Sequence, residues 1–211
     1  MTDSVLRIEN LTTQIGHGND TVIPVSDLSL EIRAGETFAL LGESGCGKSM
    51  TALSLLRLVP EPGRIVNGDI RFEGVDLLRM PEAEIRRIRG NRISMIFQDP
   101  MMTLNPVLTI ATQMTETVLA HQNISKADAL DIALEKLKKV HIPSPEKRLQ
   151  QYPHECSGGM RQRIVIAIAL LTNPGLIIAD EPTTALDVTI QAEIMDLLLE
   201  LCASEKMGLI L

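Results

Sequence analysis

One octapeptide constrains this chain more than any other stretch: Gly42-Glu43-Ser44-Gly45-Cys46-Gly47-Lys48-Ser49, entered from the apolar run Phe38-Ala39-Leu40-Leu41. It fits the template G-x-x-x-x-G-K-[ST] with a further glycine at Gly45, and the apolar run reads as a buried strand leading into it. Glycines at 42, 45 and 47 open backbone angles closed to other residues, so successive N–H groups can turn inward as a concave anion nest. Lys48 is then placed to reach terminal phosphates and Ser49 to put a hydroxyl on Mg²⁺, while a helix opening near Gly47 adds its N-terminal dipole. Each part answers a charge on a nucleoside triphosphate. The alternative is a strand-to-helix turn with a lysine by accident. Average residue frequencies produce that pattern in roughly one chain in a hundred of this length, before strand and helix are required.

Around this loop, apolar strands alternate with helices. Leu6 to Ile15 and Val25 to Ile32 read as strands, the second turning Leu28, Leu30 and Ile32 inward against Ser29 and Glu31 outward, which predicts a small antiparallel sheet. Ser49 to Leu58 reads as a helix closed by Pro60-Glu61-Pro62-Gly63, and Asn67-Gly68 as a turn before a short strand from Asp69 to Phe72. A helix starts at Pro81, with Glu82 and Glu84 in its first turn, and Gly90 stops it. Ile93 to Phe97 is a second apolar strand, finishing at Gln98-Asp99-Pro100. From there to about Tyr152 the pattern is helical; Ser125 with Asp128 is a capping box, and Ala129, Ile132, Ala133, Leu137 and Val140 recur at helical spacing. An apolar helix follows Cys156-Ser157-Gly158-Gly159 as far as Leu171. Leu176 to Ala179 is a third strand, with Asp180 and Glu181 at its end and Pro182 breaking the chain. A long amphipathic helix covers Val188 to Ser204, and Gly208 opens a fourth strand.

The fold class expected is α/β: a phosphate-loop NTPase core on a parallel, doubly covered sheet, with an N-terminal antiparallel β subdomain and an inserted helical subdomain. Residues 1–98 and 160–211 are assigned to the core and its β subdomain, and 99–159 to the helical insert. Such sheets bind ligands outside their strand C-termini, where Gly42, Gln98 and Asp180 all fall.

Two further clusters carry chemistry. Four apolar residues followed by Asp180 match the element whose carboxylate helps hold Mg²⁺ in phosphate-loop ATPases, and Glu181, pointing differently, can act as a base on attacking water. Ser157-Gly158-Gly159 puts a hydroxyl and bare N–H groups at a helix start, a second anion site in one chain. Other classes recede. Net charge is −7, basic residues are dispersed apart from Arg86-Arg87-Ile88-Arg89 and Arg92, and Tyr152 is the sole tyrosine with no tryptophan, which disfavours nucleic acid. No apolar run approaches the roughly twenty residues of a membrane span. Met1-Thr2-Asp3-Ser4 lacks the regions of a signal peptide, and Cys46, Cys156 and Cys202 fit neither a metal nor a disulfide frame, so a cytosolic protein with reduced thiols is expected.

These residues together resemble a known family, the ATP-binding subunits of ABC transporters, and within it the oligopeptide, dipeptide and nickel importer group. Cys156-Ser157-Gly158-Gly159-Met160-Arg161-Gln162-Arg163 resembles its signature, with Cys156 where leucine is usual. Tyr152-Pro153-His154-Glu155, Phe97-Gln98-Asp99-Pro100, Leu104-Asn105-Pro106 and the run from Ala179-Asp180-Glu181-Pro182-Thr183-Thr184-Ala185 to Leu186-Asp187-Val188-Thr189 are similar to that group's wording.

The resemblance implies an ABC ATPase that forms a head-to-tail dimer, identical or with a second ATP-binding subunit. Each ATP, with Mg²⁺, lies between one chain's phosphate loop and the partner's Ser157, Gly158 and Gly159. It implies Glu181 as catalytic base, Lys48 on the phosphates, Ser49, Gln98 and Asp180 around the metal, and Asp187 at the seam. It also implies transmembrane permease subunits engaged by the helical insert, an external solute-binding protein, and a place on the cytoplasmic face of the membrane. Ile15 stands where the family has an aromatic ring for adenine. The family's switch histidine should follow the strand opening at Leu209, whereas His17, His121, His141 and His154 all lie upstream. The expectation drawn is a fragment that binds MgATP and turns it over slowly. A soluble ABC-type ATPase acting on DNA or the ribosome is the competing reading; it calls for a long coiled-coil insert or for a second cassette with a basic linker.

Overall fold

The computed structural model describes residues 4–43, 45–184 and 186–211. The expectations for Ser44 and Ala185, and the reading of residues 1–3, fall outside the described residues. In chain order the elements are β1 (Ser4–Ile15), β2 (Val22–Arg33), β3 (Thr37–Phe38), α1 (Lys48–Leu55), β4 (Arg64–Phe72), β5 (Val75–Asp76), α2 (Glu82–Ile88) and β6 (Ile93–Ile96). There follow α3 (Pro100–Thr103), α4 (Ile110–His121), α5 (Lys126–Lys139), α6 (Pro145–Leu149), α7 (Gly158–Ala169), β7 (Leu176–Ala179), α8 (Val188–Glu205) and β8 (Gly208–Ile210).

The strands form two four-stranded sheets, one antiparallel in the order β2-β1-β4-β5 and one parallel in the order β3-β8-β7-β6. In β7 the side chains alternate between two cores. Ile177 and Ala179 enter a cluster built with α4, α5, α7 and α8, while Leu176 and Ile178 enter a second cluster with the antiparallel sheet, α1 and α2. A strand fully buried on both faces has no polar face to show, which is why β7 reads as an unbroken apolar run. The order places β8 between the strand feeding the glycine loop and β7, so the ends of β3, β8 and β7 open on one mouth.

Several local expectations are corrected. Asn67-Gly68 is not a hairpin turn but lies inside β4. There the β1 register jumps from Glu9↔Asp69 to Thr12↔Asn67, so Asn10 and Leu11 face Gly68 alone. Asn67 Nδ2 donates to Asn10 O at 3.2 Å, and Gly68 has φ +100 with Glu9 O 2.6 Å from where a Cβ would sit. The twelve-residue β1 needs a partner of comparable length, and a bulge satisfies the Asn-Gly preference for positive φ without ending the ladder. Phe38–Leu41 is strand only through Phe38, although Leu40 N still donates to Leu211 O at 2.7 Å. β2 starts at Val22 rather than Val25.

α1 stops at Leu55, not Leu58. Arg57 turns left-handed at φ +52, and the Arg89 guanidinium donates to the carbonyls of Leu56 (2.7 Å) and Arg57 (3.1 Å), satisfying orphan acceptors at the helix end. The expected capping box is present: Ser125 Oγ accepts from Asp128 N at 3.1 Å and the Asp128 carboxylate accepts from Ser125 N at 3.3 Å. α5 is tied to the residues after α7 by Lys136 Nζ, which donates to Asn173 Oδ1 at 2.6 Å, and to α8 by Lys139 with Glu205. Burial, then the charge of Lys139, pulls the Lys136 ammonium below the usual lysine range.

Candidate phosphate-binding site

The glycine loop leaves the parallel sheet after β3 and re-enters the fold as α1, with Gly47 as the N-cap at φ +95. Gly47 lies directly on β2: a Cβ there would be 2.0 Å from Pro24 O. Its carbonyl accepts from Thr51 N at 2.8 Å and Thr51 Oγ1 at 3.0 Å, which fixes the first turn. By helix geometry the N–H groups of Lys48, Ser49 and Met50 have no acceptor four residues back within the helix, and these are the donors an anion uses. Ser49 is exposed beside them. The loop closes on itself through Cys46 N, which donates to Glu43 O at 3.2 Å, with the Cys46 sulfur against Gly42. Lys48 Nζ crosses the loop and donates to Gly42 O at 2.8 Å and Glu43 O at 3.1 Å.

The ends of β6 and β7 supply the facing groups. Asp180 N donates to Ile96 O at 2.9 Å, so parallel pairing continues one residue past β7 and fixes where the carboxylates begin. Glu181 Oε2 accepts from Gln98 Nε2 at 3.0 Å, and Glu181 Oε1 lies 3.6 Å from Lys48 Nζ. Their side chains are 20% (Lys48) and 40% (Glu181) exposed, so this ion pair is screened and contributes little stability. Asp180, Glu181, Lys48 and Leu211 line a cavity of about 200 Å³. Asp180 also borders an open groove of about 560 Å³ with Gln98, Phe97 and Met102. Lys48, Gln98, Asp180 and Glu181 are thus brought together from three separate parts of the chain.

Glu181 sits at φ +46 immediately before Pro182. Positive φ in a residue with a Cβ costs on the order of 1–3 kcal/mol, and such strain concentrates at functional sites. Thr184 secures this turn. Its N–H donates to Glu181 O at 3.3 Å and its hydroxyl to both Glu181 O (3.3 Å) and Glu181 Oε2 (3.2 Å). In the sequence Thr184 is marked only as a hydroxyl three residues after the carboxylate across a proline.

Ser157 caps α7, its Oγ accepting from Met160 N at 3.3 Å, and Gly158 and Gly159 form the first turn against Leu186 and Ile190. A Cβ on Gly159 would lie 3.0 Å from Ile190 Cγ2, so glycine also serves packing there. Asp187, expected at the seam, caps α8 by accepting from Ile190 N at 3.1 Å. Among the described residues no hydrogen bond or ion pair joins Ser157, Gly158 or Gly159 to the glycine loop or to Glu181. Within one chain the structure does not assemble these groups into one site.

The three thiols differ sharply. Cys46 is exposed in the loop, whereas Cys156 and Cys202 are buried. Burial pushes the Cys202 thiol up to about 11 and raises that of Cys156, against the opposing charges of Arg148 and Arg161. Since the thiolate is the nucleophile, iodoacetamide at neutral pH is expected to label Cys46 and spare the other two in the folded chain. Saturating MgATP is expected to slow the Cys46 reaction at least about tenfold, read by mass spectrometry of the three peptides; equal labelling with and without nucleotide would separate Cys46 from the phosphate site.

A family model described as ABC transporter matches residues 25–184. The chain is 50% identical over 208 residues to a probable peptide ABC transporter ATP-binding protein, y4tR, of Sinorhizobium fredii, covering 98% of this chain and 61% of that protein. It is 49% identical over 199 residues to the oligopeptide transport ATP-binding protein OppD of Escherichia coli, covering 94% of this chain and 59% of the relative. With the dipeptide transport ATP-binding protein DppD of Bacillus subtilis it shares 49% over 210 residues, covering 99% and 63%. The chain therefore spans about three-fifths of the length of these relatives. Among solved structures, the ATP-binding cassette MJ0796, in a dimeric post-hydrolysis state bound to ADP and Pi, superposes with a TM-score of 0.84 at 27% identity, covering 97% of this chain and 86% of that one.

Proposed function

The chain belongs to the ABC transporter family, and from that premise we propose that it binds MgATP in the Gly42–Ser49 loop and hydrolyses it to power an importer of peptides or related small solutes. The observation that carries this reading is the convergence of Lys48, at the start of α1, with Gln98 and Glu181, just past the ends of β6 and β7, at hydrogen-bond and ion-pair distances of 3.0 and 3.6 Å.

In the proposed reaction the loop amides and the Lys48 ammonium hold the triphosphate. Glu181 takes a proton from water as its oxygen bonds to the γ-phosphorus and the bond to the β-phosphate oxygen breaks, leaving ADP and phosphate. Gln98 steadies the Glu181 carboxylate through Oε2. The Ser49 hydroxyl, the Gln98 amide and the Asp180 carboxylate are hard oxygen donors. No group of three His, Cys, Asp or Glu side chains poised for a metal occurs among the described residues. The Ser49, Gln98 and Asp180 oxygens fit Mg²⁺, which is held through one or two carboxylates and completes its shell with other oxygens, water and phosphate among them. When bound, Mg²⁺ supplies charge neutralisation on the phosphate oxygens.

The partners belong to the same proposal. Ser157, Gly158 and Gly159 cap the ATP of a second ATP-binding chain, identical or paralogous, and Asp187 sits at the joint between them. Residues 1–98 and 160–211 act as the ATP-binding core, and 99–159 as the helical unit that meets transmembrane permease subunits, themselves served by an external solute-binding protein. Phe97 and Met102, exposed beside Gln98, give that face an apolar rim. No helix among the described residues is long and apolar enough to cross a membrane, and the reading is of a peripheral subunit on the cytoplasmic face. Isothermal titration of the folded chain with MgATP is expected to give one site per chain that vanishes with Lys48→Ala. Absence of any magnesium-dependent heat at millimolar nucleotide would overturn the proposal.

A further inference from the structure

The Glu181 carboxylate has two oxygens in different circumstances. Oε2 accepts from Gln98 Nε2 at 3.0 Å and from Thr184 Oγ1 at 3.2 Å, so it has two donors. Among the described residues the one partner of Oε1 is the more distant Lys48 ammonium at 3.6 Å, and Glu181 lines the cavity at the strand ends. A carboxylate held by two donors on one oxygen presents the other oxygen in a defined direction. The two donors reach it from different elements, Gln98 from the end of β6 and Thr184 from the turn after Pro182. The Thr184 proton is shared between Glu181 Oε2 and Glu181 O, so one hydroxyl fixes the side chain and the positive-φ backbone beneath it.

Resting on the reading of Glu181 as base, we propose that Thr184 is a positioning residue for ATP hydrolysis, its hydroxyl holding Glu181 Oε2 so that Oε1 is the atom that receives the proton from attacking water. Thr184 has no part in holding the triphosphate. Loss of its hydroxyl leaves the Gln98 bond intact, and the carboxylate then turns about that single tether.

The test is steady-state MgATP hydrolysis by the intact protein. Thr184→Val, close in shape but without the hydroxyl, is expected to lower kcat about tenfold with KM within about twofold, and Thr184→Ser to restore at least about half of the wild-type kcat. Should the valine variant melt well below wild type, Thr184→Ala, which removes the same hydroxyl without a branched apolar group, carries the comparison with serine. A wild-type kcat without the hydroxyl, a serine variant as slow as the variants lacking it, or a KM that rises as kcat falls would each overturn the proposal. Glu181→Gln is run alongside. Normal turnover there removes Glu181 from the base role and this proposal with it, whereas a loss there with Thr184→Val at wild-type rate removes the Thr184 proposal alone.

Discussion

Glu181→Gln is expected to lower ATP turnover by about 10²–10⁴-fold while MgATP affinity stays within about threefold, which is the largest change in rate anticipated for a single isosteric substitution here. The geometry argues for the split. Glutamine keeps the shape of the side chain and a carbonyl oxygen able to accept from Gln98 and Thr184, so the strained turn at φ +46 retains its hydrogen bonds. What it loses is the capacity to take a proton. The ion pair it breaks, at 3.6 Å between partly exposed groups, contributes little to stability. Removing a negative charge beside the proposed triphosphate site does not oppose binding, and in the proposed dimer slower turnover is expected to prolong nucleotide-dependent pairing of two chains. Single-turnover hydrolysis and equilibrium titration on the same preparation separate the effects. Parallel losses in rate and affinity would assign Glu181 to ground-state binding, and an undiminished rate would remove it from the chemistry.

The elements that were legible in the sequence are those whose signal lies within a few consecutive residues. β7 is readable because a strand covered on both faces leaves Leu176 to Ala179 wholly apolar, and α5 because Ser125 and Asp128 bracket its start. The glycine loop is readable because strand, turn and helix occur in immediate succession. Asn67-Gly68 misleads for a physical reason. Its preference for positive φ is real and is met at Gly68, but the same local geometry serves a bulge as well as a hairpin, and only the length of β1 decides between them. The end of α1 is not legible locally because Arg89, more than thirty residues downstream, satisfies the carbonyls of Leu56 and Arg57 just past it.

The site divides along the same line. The place of Gln98, Asp180 and Glu181 at strand ends follows from where apolar runs stop, and that of Lys48 from the glycine loop, but the Gln98 to Glu181 bond spans 83 residues and is written nowhere in either segment. The resemblance named both residues without giving the atom each uses. Thr184 was passed over because a threonine near a carboxylate is ordinary; it acquires a role only when the turn at Pro182 brings its hydroxyl back onto Oε2. Gly159 gained a second explanation from the fold, since a Cβ there would lie 3.0 Å from Ile190 Cγ2 on α8, whereas at Gly158 it would meet Leu186 only at 3.6 Å, an ordinary contact.

Gly47→Ala is expected to cost about 3–5 kcal/mol of stability and to weaken MgATP binding by at least about 100-fold, far more than adding one methyl group elsewhere in the loop. Two terms add. At φ +95 a residue with a Cβ is strained wherever it sits, and here the methyl carbon would also lie 2.0 Å from the carbonyl oxygen of Pro24, a backbone atom with no rotamer to give way. Relief requires either β2 or the N-cap of α1 to move. The N-cap carbonyl is the acceptor for Thr51 N and Thr51 Oγ1, so its displacement turns the first helical amides and Lys48 away from their common focus. Gly45→Ala isolates the first term: φ is +83 but nothing lies within 4 Å of the added carbon, so the expected cost is about 1–2 kcal/mol with affinity within about tenfold of wild type. Chemical denaturation and nucleotide titration of the two variants together decide the matter. Equal losses at 45 and 47 would mean that backbone conformation alone governs the loop, and a tolerated Gly47→Ala would mean that the contact with Pro24 does not hold the phosphate nest in place.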